Sequence, residues 1–332
     1  MQEQFIKYLK ANADHNISFV EEVANVLDIG YDAAYRRINF KTNLTLEESI
    51  ALAHYYNVSL DKLFEIGSQN TLVVEKSPPI NNLENLERYF ERSIENLDPL
   101  IHLKDATIIY SAKDIPLFHT LRHSYMTYFK LFIWVKFNNK EMIKNKMTFD
   151  EFVESVPDSL IKKARKLSHT YNNINIIEFW NDNTINCNLE QIKYLFESQL
   201  LSKYTALTIC EDQLKIINNA EEQTIQQSII GSNTNASYQL YKSDLLTMSN
   251  IVFVRTKFKK TFFIPFTVLE YLKVEHQPTC EAMDNFFNLQ MTNSKLLVNS
   301  GEKDRTLFFN KMRQKIDKLQ NRINKEVPIH YD

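Results

Sequence analysis

The stretch "GYDAAYRRINFK", residues 30–41, sets Tyr31, Asp32, Ala33 and Arg36 within little more than one helical turn and follows them with Arg37 and Lys41. These side chains suit the edges of base pairs. Arginine offers a planar fork of donors for guanine O6 and N7, aspartate can accept from cytosine N4, and tyrosine can meet a thymine methyl or a phosphate. Arg36 is the first choice as a reader, worth about 1–3 kcal/mol of discrimination. Other constellations offer less chemistry. His119 and His123, in "HTLRH", stand four apart on an expected helix, but no helical glutamate or third ligand accompanies them, so they read as a surface pair and no metal is assigned. Cys187, Cys210 and Cys280 lie far apart without a C-x-x-C pair, which argues against a disulfide framework or thiolate zinc site and fits a reducing cytoplasm. Gly30, Gly67, Gly231 and Gly301 are too widely spaced for a P-loop or a dinucleotide fingerprint. No Ser, Cys or His triad has a spacing to commend it. No cofactor is expected, and the chain is read as a non-enzyme.

The elements that must position these residues follow from periodicity. Phe5, Ile6 and Leu9 mark a first helix. A second carries Phe19, Val20, Val23, Ala24 and Leu27, with Ser18 at its N-cap and Glu21 completing a capping box. A third spans Tyr31 to about Asn39, Thr45 and Glu48 box the start of "LEESIALAHYY", and Ser59 caps "LDKLF". These five short helices make a compact bundle over residues 1–66. Gly67 and the Pro78-Pro79 pair place a linker at 67–81. Residues 82–332 are expected to form an α+β domain, mostly helical with a small antiparallel sheet from "YQLYKSD", "NIVFVRTKF" and "KTFFIPF". In it, Leu83, Leu86, Phe90, Ile94 and Leu97 mark an amphipathic helix, "ATIIYSAKDIP" a short buried strand, and 157–171, 189–200 and 204–230 further helices. The strand with the aromatic helix "YMTYFKLFIWVKF" can line a ligand pocket, though such stripes are more often plain core. "RTKFKKTFF" reads as a solvated hairpin before it reads as a single-strand nucleic-acid surface.

Ile17 to Phe64 resembles the XRE family of DNA-binding domains, the phage repressor and Cro type. The resemblance rests on "VANVLDI", "AYRRI" and "LTLEESIALAHYYNVSLDKLF". It implies a repressor-like five-helix fold in which a helix-turn-helix is formed by the second and third helices. In that family the beginning of the recognition helix enters the major groove, so the resemblance implies base contacts by Tyr31, Asp32, Ala33 and Arg36. It implies sugar-phosphate contacts by Ser18, Arg37, Asn39, Lys41, Thr42 and Asn43, which position rather than specify. Ala24 is the small residue where the helices cross. Asp28 replaces the usual turn glycine, and Phe40 stands where glycine commonly follows the recognition helix.

The whole chain of 332 residues has 44% hydrophobic and 24% charged residues and a net charge of −2, which is globular composition with no overall field for nucleic acid. Residues 1–66 are more acidic still: six Lys and Arg against ten Asp and Glu, a net of −4. Positive potential is therefore confined to "RRINFK". No segment reads as a signal peptide or a membrane span. The expected protein is a cytoplasmic transcription regulator, a homodimer on double-stranded DNA, whose C-terminal domain dimerises it and senses a small-molecule or protein effector. Phe309, Met312, Ile316, Leu319 and Ile323 alternate at spacings of three and four, a coiled-coil seam assigned to dimerisation, with docking on its own domain an equal alternative. The rival functions are an antitoxin-like or scaffold module that uses the bundle to bind protein, and an enzyme in residues 82–332.

Overall fold

A computed structural model describes residues 1–13, 18–64, 72–122, 124–139, 142, 144, 146–246 and 248–325. The chain is mixed α+β and divides into two compact units, Met1–Val73 and Val74–Asp332. Among the described residues no helix is long and apolar enough to cross a membrane.

The first unit contains α1 (Gln2–Ala11), α2 (Phe19–Leu27), α3 (Tyr31–Ile38), α4 (Leu46–Tyr55) and α5 (Leu60–Phe64). Phe5, Leu9, Val23, Ala24, Ala34, Leu52 and Ala53 form its buried centre, the apolar stripes that helical spacing had marked. The Thr45–Glu48 capping box is present in both directions, Glu48 N–H to Thr45 Oγ1 at 3.1 Å and Thr45 N–H to Glu48 Oε2 at 3.0 Å. The expected Ser18 box is not formed. Ser18 occupies the N-cap with extended backbone, but its hydroxyl accepts no cap bond, and Glu21 points to solvent.

Three helices of this unit end in the same motif, without glycine. Asp28, Phe40 and Asn57 take the left-handed conformation, with φ of 51°, 61° and 52°. At each, the following N–H reaches back five residues: Ile29 to Ala24 O, Lys41 to Arg36 O and Val58 to Ala53 O, at 3.0, 2.8 and 2.8 Å. This satisfies carbonyls that a helix end leaves unpaired. Aspartate and asparagine tolerate the conformation through local hydrogen bonding, whereas phenylalanine has no such compensation.

The second unit is built on an eight-stranded sheet in the order β1-β7-β6-β5-β2-β3-β4-β8. Its strands are β1 (Glu75–Lys76), β2 (Thr107–Ser111), β3 (Asn175–Trp180), β4 (Tyr238–Lys242), β5 (Val252–Arg255), β6 (Lys260–Pro265), β7 (Tyr271–Val274) and β8 (Lys295–Leu297). This corrects the small antiparallel sheet expected from sequence. β2, β3 and β4 pair in parallel, and only the flanking pairs are antiparallel. "YQLYK" is β4, beside β3 and β8, not a hairpin partner of "VFVR". β1 also lies inside the expected linker, so that stretch belongs in part to the sheet; residues 65–71 lie outside the described residues.

Parallel strands need long crossovers. The first carries α7 (Leu117–Thr120), α8 (Ser124–Asn138), α9 (Phe149–Ser155) and α10 (Asp158–Tyr171); the second carries α11 (Asn186–Glu197) and α12 (Lys203–Gln226). α6 (Leu83–Ile101) precedes the first, and α13 (Gln277–Thr292) and α14 (Glu302–Lys325) complete the unit. Both faces of the central strands are covered, which is why they read as apolar runs without alternation. Ile108, Tyr110, Ile176, Trp180, Tyr238 and Leu240 join the large helical core. Ile109, Ile177 and Phe179 join a smaller one with Phe253, Phe262 and Phe287 of α13.

α14 corrects a further expectation. Phe309, Met312, Ile316, Leu319 and Ile323 are buried in the large core of their own unit, where α14 packs on α12. The seam is filled by the chain itself, so it offers no free apolar stripe to a second copy.

His119 and Glu178 form the buried polar centre of the large core. Glu178 is fully buried on β3 and accepts from Tyr238 Oη at 2.9 Å, Trp180 Nε1 at 2.9 Å and Tyr171 Oη at 3.2 Å, while His119 Nε2 lies 2.9 and 3.1 Å from its two oxygens. His119 is therefore a core residue and not half of a surface pair; His123 lies outside the described residues. Burial, and then the Glu178 charge, push the phenols of Tyr171 and Tyr238 well above their ordinary range. Removing the acceptor strands four buried donors, so Glu178→Ala is expected to cost about 3–5 kcal/mol in urea unfolding. A loss below about 1 kcal/mol would mean that the donors find other acceptors.

Candidate functional site

The turn between α2 and α3 begins where Asp28, at φ 51° and ψ 48°, reverses the backbone. Gly30 then acts as N-cap of α3 with ordinary extended angles, and its carbonyl accepts from Ala33 and Ala34 N–H at 3.0 Å each. Ala34 is fully buried and Ala24 nearly so, both in the centre with Val23 and Leu52. A larger side chain at either position would hold the two helices apart.

That inner contact decides the outer face. Tyr31, Asp32, Tyr35 and Arg36 are exposed, with Tyr31 at 52% and Tyr35 at 45%, while Ala33 is half-buried. Arg36 has no hydrogen-bond or ion-pair partner among the described residues. Past the helix end Asn39, Lys41 and Asn43 are exposed and Thr42 is half-buried. The Lys41 ammonium lies 5.9 Å from the Tyr35 ring centre. Ser18 is exposed at the start of α2. Of the residues assigned from sequence, Tyr31, Asp32, Arg36, Asn39, Lys41, Asn43 and Ser18 are thus accessible.

Arg37, assigned to phosphate contact from sequence, is half-buried and its guanidinium is engaged within the chain. Its Nη2 lies 2.7 Å from Glu48 Oε1, its Nε donates to both carboxylate oxygens at 2.9 Å, and its Nη1 donates to Ala33 O at 3.1 Å. The guanidinium is spent on joining α3 to α4. The Arg37 hydrogen bond holds the Glu48 carboxyl below its ordinary range, and the same carboxylate serves the Thr45 cap. The positive charge left on the outer face is that of Arg36 and Lys41.

Sequence reasoning also missed Gln2. Its Nε2 donates to Arg37 O at 2.9 Å and Thr42 O at 3.1 Å, and its Oε1 accepts from Leu44 N–H at 3.1 Å. One amide from α1 thus fixes the loop after α3. No local signal marks a glutamine at the chain start for a partner forty residues away. Tyr35 is a further exposed residue of this face, with the Lys41 ammonium near its ring.

Elsewhere, "RTKFKKTFF" forms the β5–β6 hairpin, closed by Thr256 N–H to Lys259 O at 2.9 Å. Arg255 pairs with Asp284, Lys260 with Asp284 and Glu281, and Lys259 with Glu275. Those cations are neutralised by carboxylates of this chain. Among the described residues no three His, Cys, Asp or Glu side chains converge as a metal site requires. No family model matches the chain, and neither a curated protein nor a solved structure matches it.

The two arginines should separate in stability. Arg37→Ala is expected to cost about 2 kcal/mol at neutral pH, and Arg36→Ala less than about 0.5 kcal/mol. Because the folded Glu48 carboxyl is held below its unfolded value, the pair stabilises above the ordinary glutamate range and its contribution fades as pH falls through the folded value. The gap between parent and Arg37→Ala in thermal unfolding should therefore narrow in acid. Phe40→Gly relieves a left-handed penalty of about 1–2 kcal/mol against a glycine entropy cost of about 0.4–1 kcal/mol. A modest rise in melting temperature is expected.

Proposed function

We propose that the chain is a cytoplasmic, sequence-specific transcription regulator that reads duplex DNA in the major groove with α3. The observation that supports this most is the division of α3 into two faces. Ala34 locks one against α2, and the other carries Tyr31, Asp32, Tyr35 and Arg36, the last without an ion-pair partner among the described residues. In this reading α2 and α3 are the helix-turn-helix of a repressor-like bundle, as the resemblance to the XRE family implies.

Arg36 makes the bidentate contact to a guanine edge. Tyr31 and Asp32 take neighbouring base edges, and Ala33 contributes only a small surface beside them. Lys41, Asn39, Thr42, Asn43 and Ser18 contact the sugar-phosphate backbone and set the register. Arg37 and Gln2 act indirectly, by fixing α3 and the loop that carries Lys41. One small reading helix buries little surface, so two copies bind paired half-sites about one helical turn apart. The second unit brings the copies together through a surface other than the α14 seam.

One observation favours a second reading, in which the first unit is a protein-interaction module. Residues 1–66 carry a net charge of −4, and Arg37 is already neutralised. Nonspecific attraction to phosphate is correspondingly weak.

A randomised-oligonucleotide selection on the full chain separates the two. A defined duplex motif should be enriched, and Arg36→Ala should lose about 1–3 kcal/mol and relax preference at one position. Lys41→Ala should weaken all duplexes alike and lower the salt slope by about 1. Enrichment of no duplex, with the parent chain folded, overturns the regulator reading and leaves the protein-interaction one.

A further inference from the structure

A cavity of about 300 Å³ lies in the second unit, between α6 and the sheet face formed by β2, β5, β6 and β7. Its size is at the lower end of small-molecule sites. The sequence pointed near it through Tyr110, but the aromatic helix expected to line it does not: Phe129, Phe132 and Trp134 of α8 are buried core.

The walls are of two kinds. Ile108, Val252, Val254, Leu97 and Phe118 supply an apolar interior. Around it stand the phenols of Tyr89, Tyr110 and Tyr271, neutral polar groups of which Tyr110 and Tyr271 are hydrogen-bonded to each other. The charged lining is one-sided, with Lys76, Arg88, Arg92 and Lys273 against the single carboxylate of Glu75. Three of these cations are occupied: Arg88 with Glu84, Lys273 with Glu275, and Lys76 over the Phe266 ring. Arg92 is exposed at the cavity and has no partner among the described residues. A fixed positive charge beside an apolar chamber with neutral polar groups selects against cations and rewards an anion that carries hydrocarbon.

We propose that this cavity is a binding site for a small organic monoanion with an apolar body, its hydrocarbon against Ile108, Val252 and Val254 and its acid group at Arg92. An aliphatic carboxylate of medium length meets both demands. Phe118, one wall of the cavity, stacks on Tyr171 at 3.8 Å between ring centres, and Tyr171 donates to Glu178. A bound body therefore rests on the polar centre of the core.

The test uses the full chain without DNA, so its failure and that of the DNA reading are distinguishable. Anilinonaphthalene sulfonate, an apolar anion whose fluorescence rises on burial, is titrated first. It is then displaced by decanoate, decanol or decylammonium. Saturable binding is expected, with decanoate displacing the dye about tenfold better than decanol and decylammonium least of all. Arg92→Ala, a change at an exposed position, should weaken decanoate severalfold and leave decanol unchanged. Asn96→Trp, also exposed and at the cavity, should block all three while circular dichroism stays that of the parent. Absence of saturable binding, equal displacement by decanoate and decanol, or indifference to both substitutions in folded protein would each overturn the proposal.

Discussion

A carboxylate with no access to water must be satisfied by the protein or not be charged at all. Glu178 meets this demand with donors from four different elements: His119 from α7, Tyr171 from α10, Trp180 from its own strand and Tyr238 from β4. The two crossovers that make a parallel sheet possible are thereby fastened to one point. α7 and α10 belong to the first, and β4 is where the second arrives. A hydrophobic core tolerates small slides of its helices, whereas these hydrogen bonds have defined lengths and directions and do not. The consequence reaches beyond the four donors. Phe118 is the neighbour of His119 in α7, its carbonyl accepts from Ser168 Oγ of α10 at 2.8 Å, and its ring is set against Tyr171. The cavity wall is thus fixed by the same carboxylate.

The first unit solves a smaller problem with fewer parts. Its helices are short, so end effects matter more than propensity, and its turns are made by polar or even aromatic residues in a conformation that glycine would adopt freely. The capped carbonyls, the Glu48 carboxylate shared between Thr45 and Arg37, and the amide of Gln2 hold α3 from both ends and from behind. Among the described residues, Arg36 on the outward face has no hydrogen-bond or ion-pair partner. A rigid support under a free, chemically varied face is the arrangement that recognition needs, because little order has to be created on binding.

Charge sharpens the same contrast. In sequence, three cations lie close together in an acidic unit. In three dimensions one of them is paired with Glu48, and the outer face keeps Arg36 and Lys41, the latter near the Tyr35 ring. Attraction by field alone is therefore small, and any affinity for duplex DNA must come from contacts made at short range.

The helices of the first unit, the buried faces of α2 to α4, the Thr45 cap, the backbone reversal at Asp28 and the outward direction of Arg36 were legible in the sequence, whereas α9 and α13 were not. Each legible feature depends on residues within a few positions of one another, and helical periodicity transmits that information locally. The strands "VFVR" and "TFFIP" were legible for the same reason. Their partners were not: pairing in a sheet joins segments tens of residues apart, and β3, buried on both faces, lacks the alternation that identifies a strand. The seam of α14 has the spacing of a coiled coil whether its partner is α12 of the same chain or a helix of another, since periodicity records that a stripe is buried and not by what. Tertiary structure alone decided that Arg37 turns to Glu48, that Gln2 reaches the loop after α3, that His119 meets Glu178, and that Tyr89, Tyr110 and Tyr271 surround one cavity. All of these are meetings of side chains distant in sequence, made only when the backbone brings their elements into register.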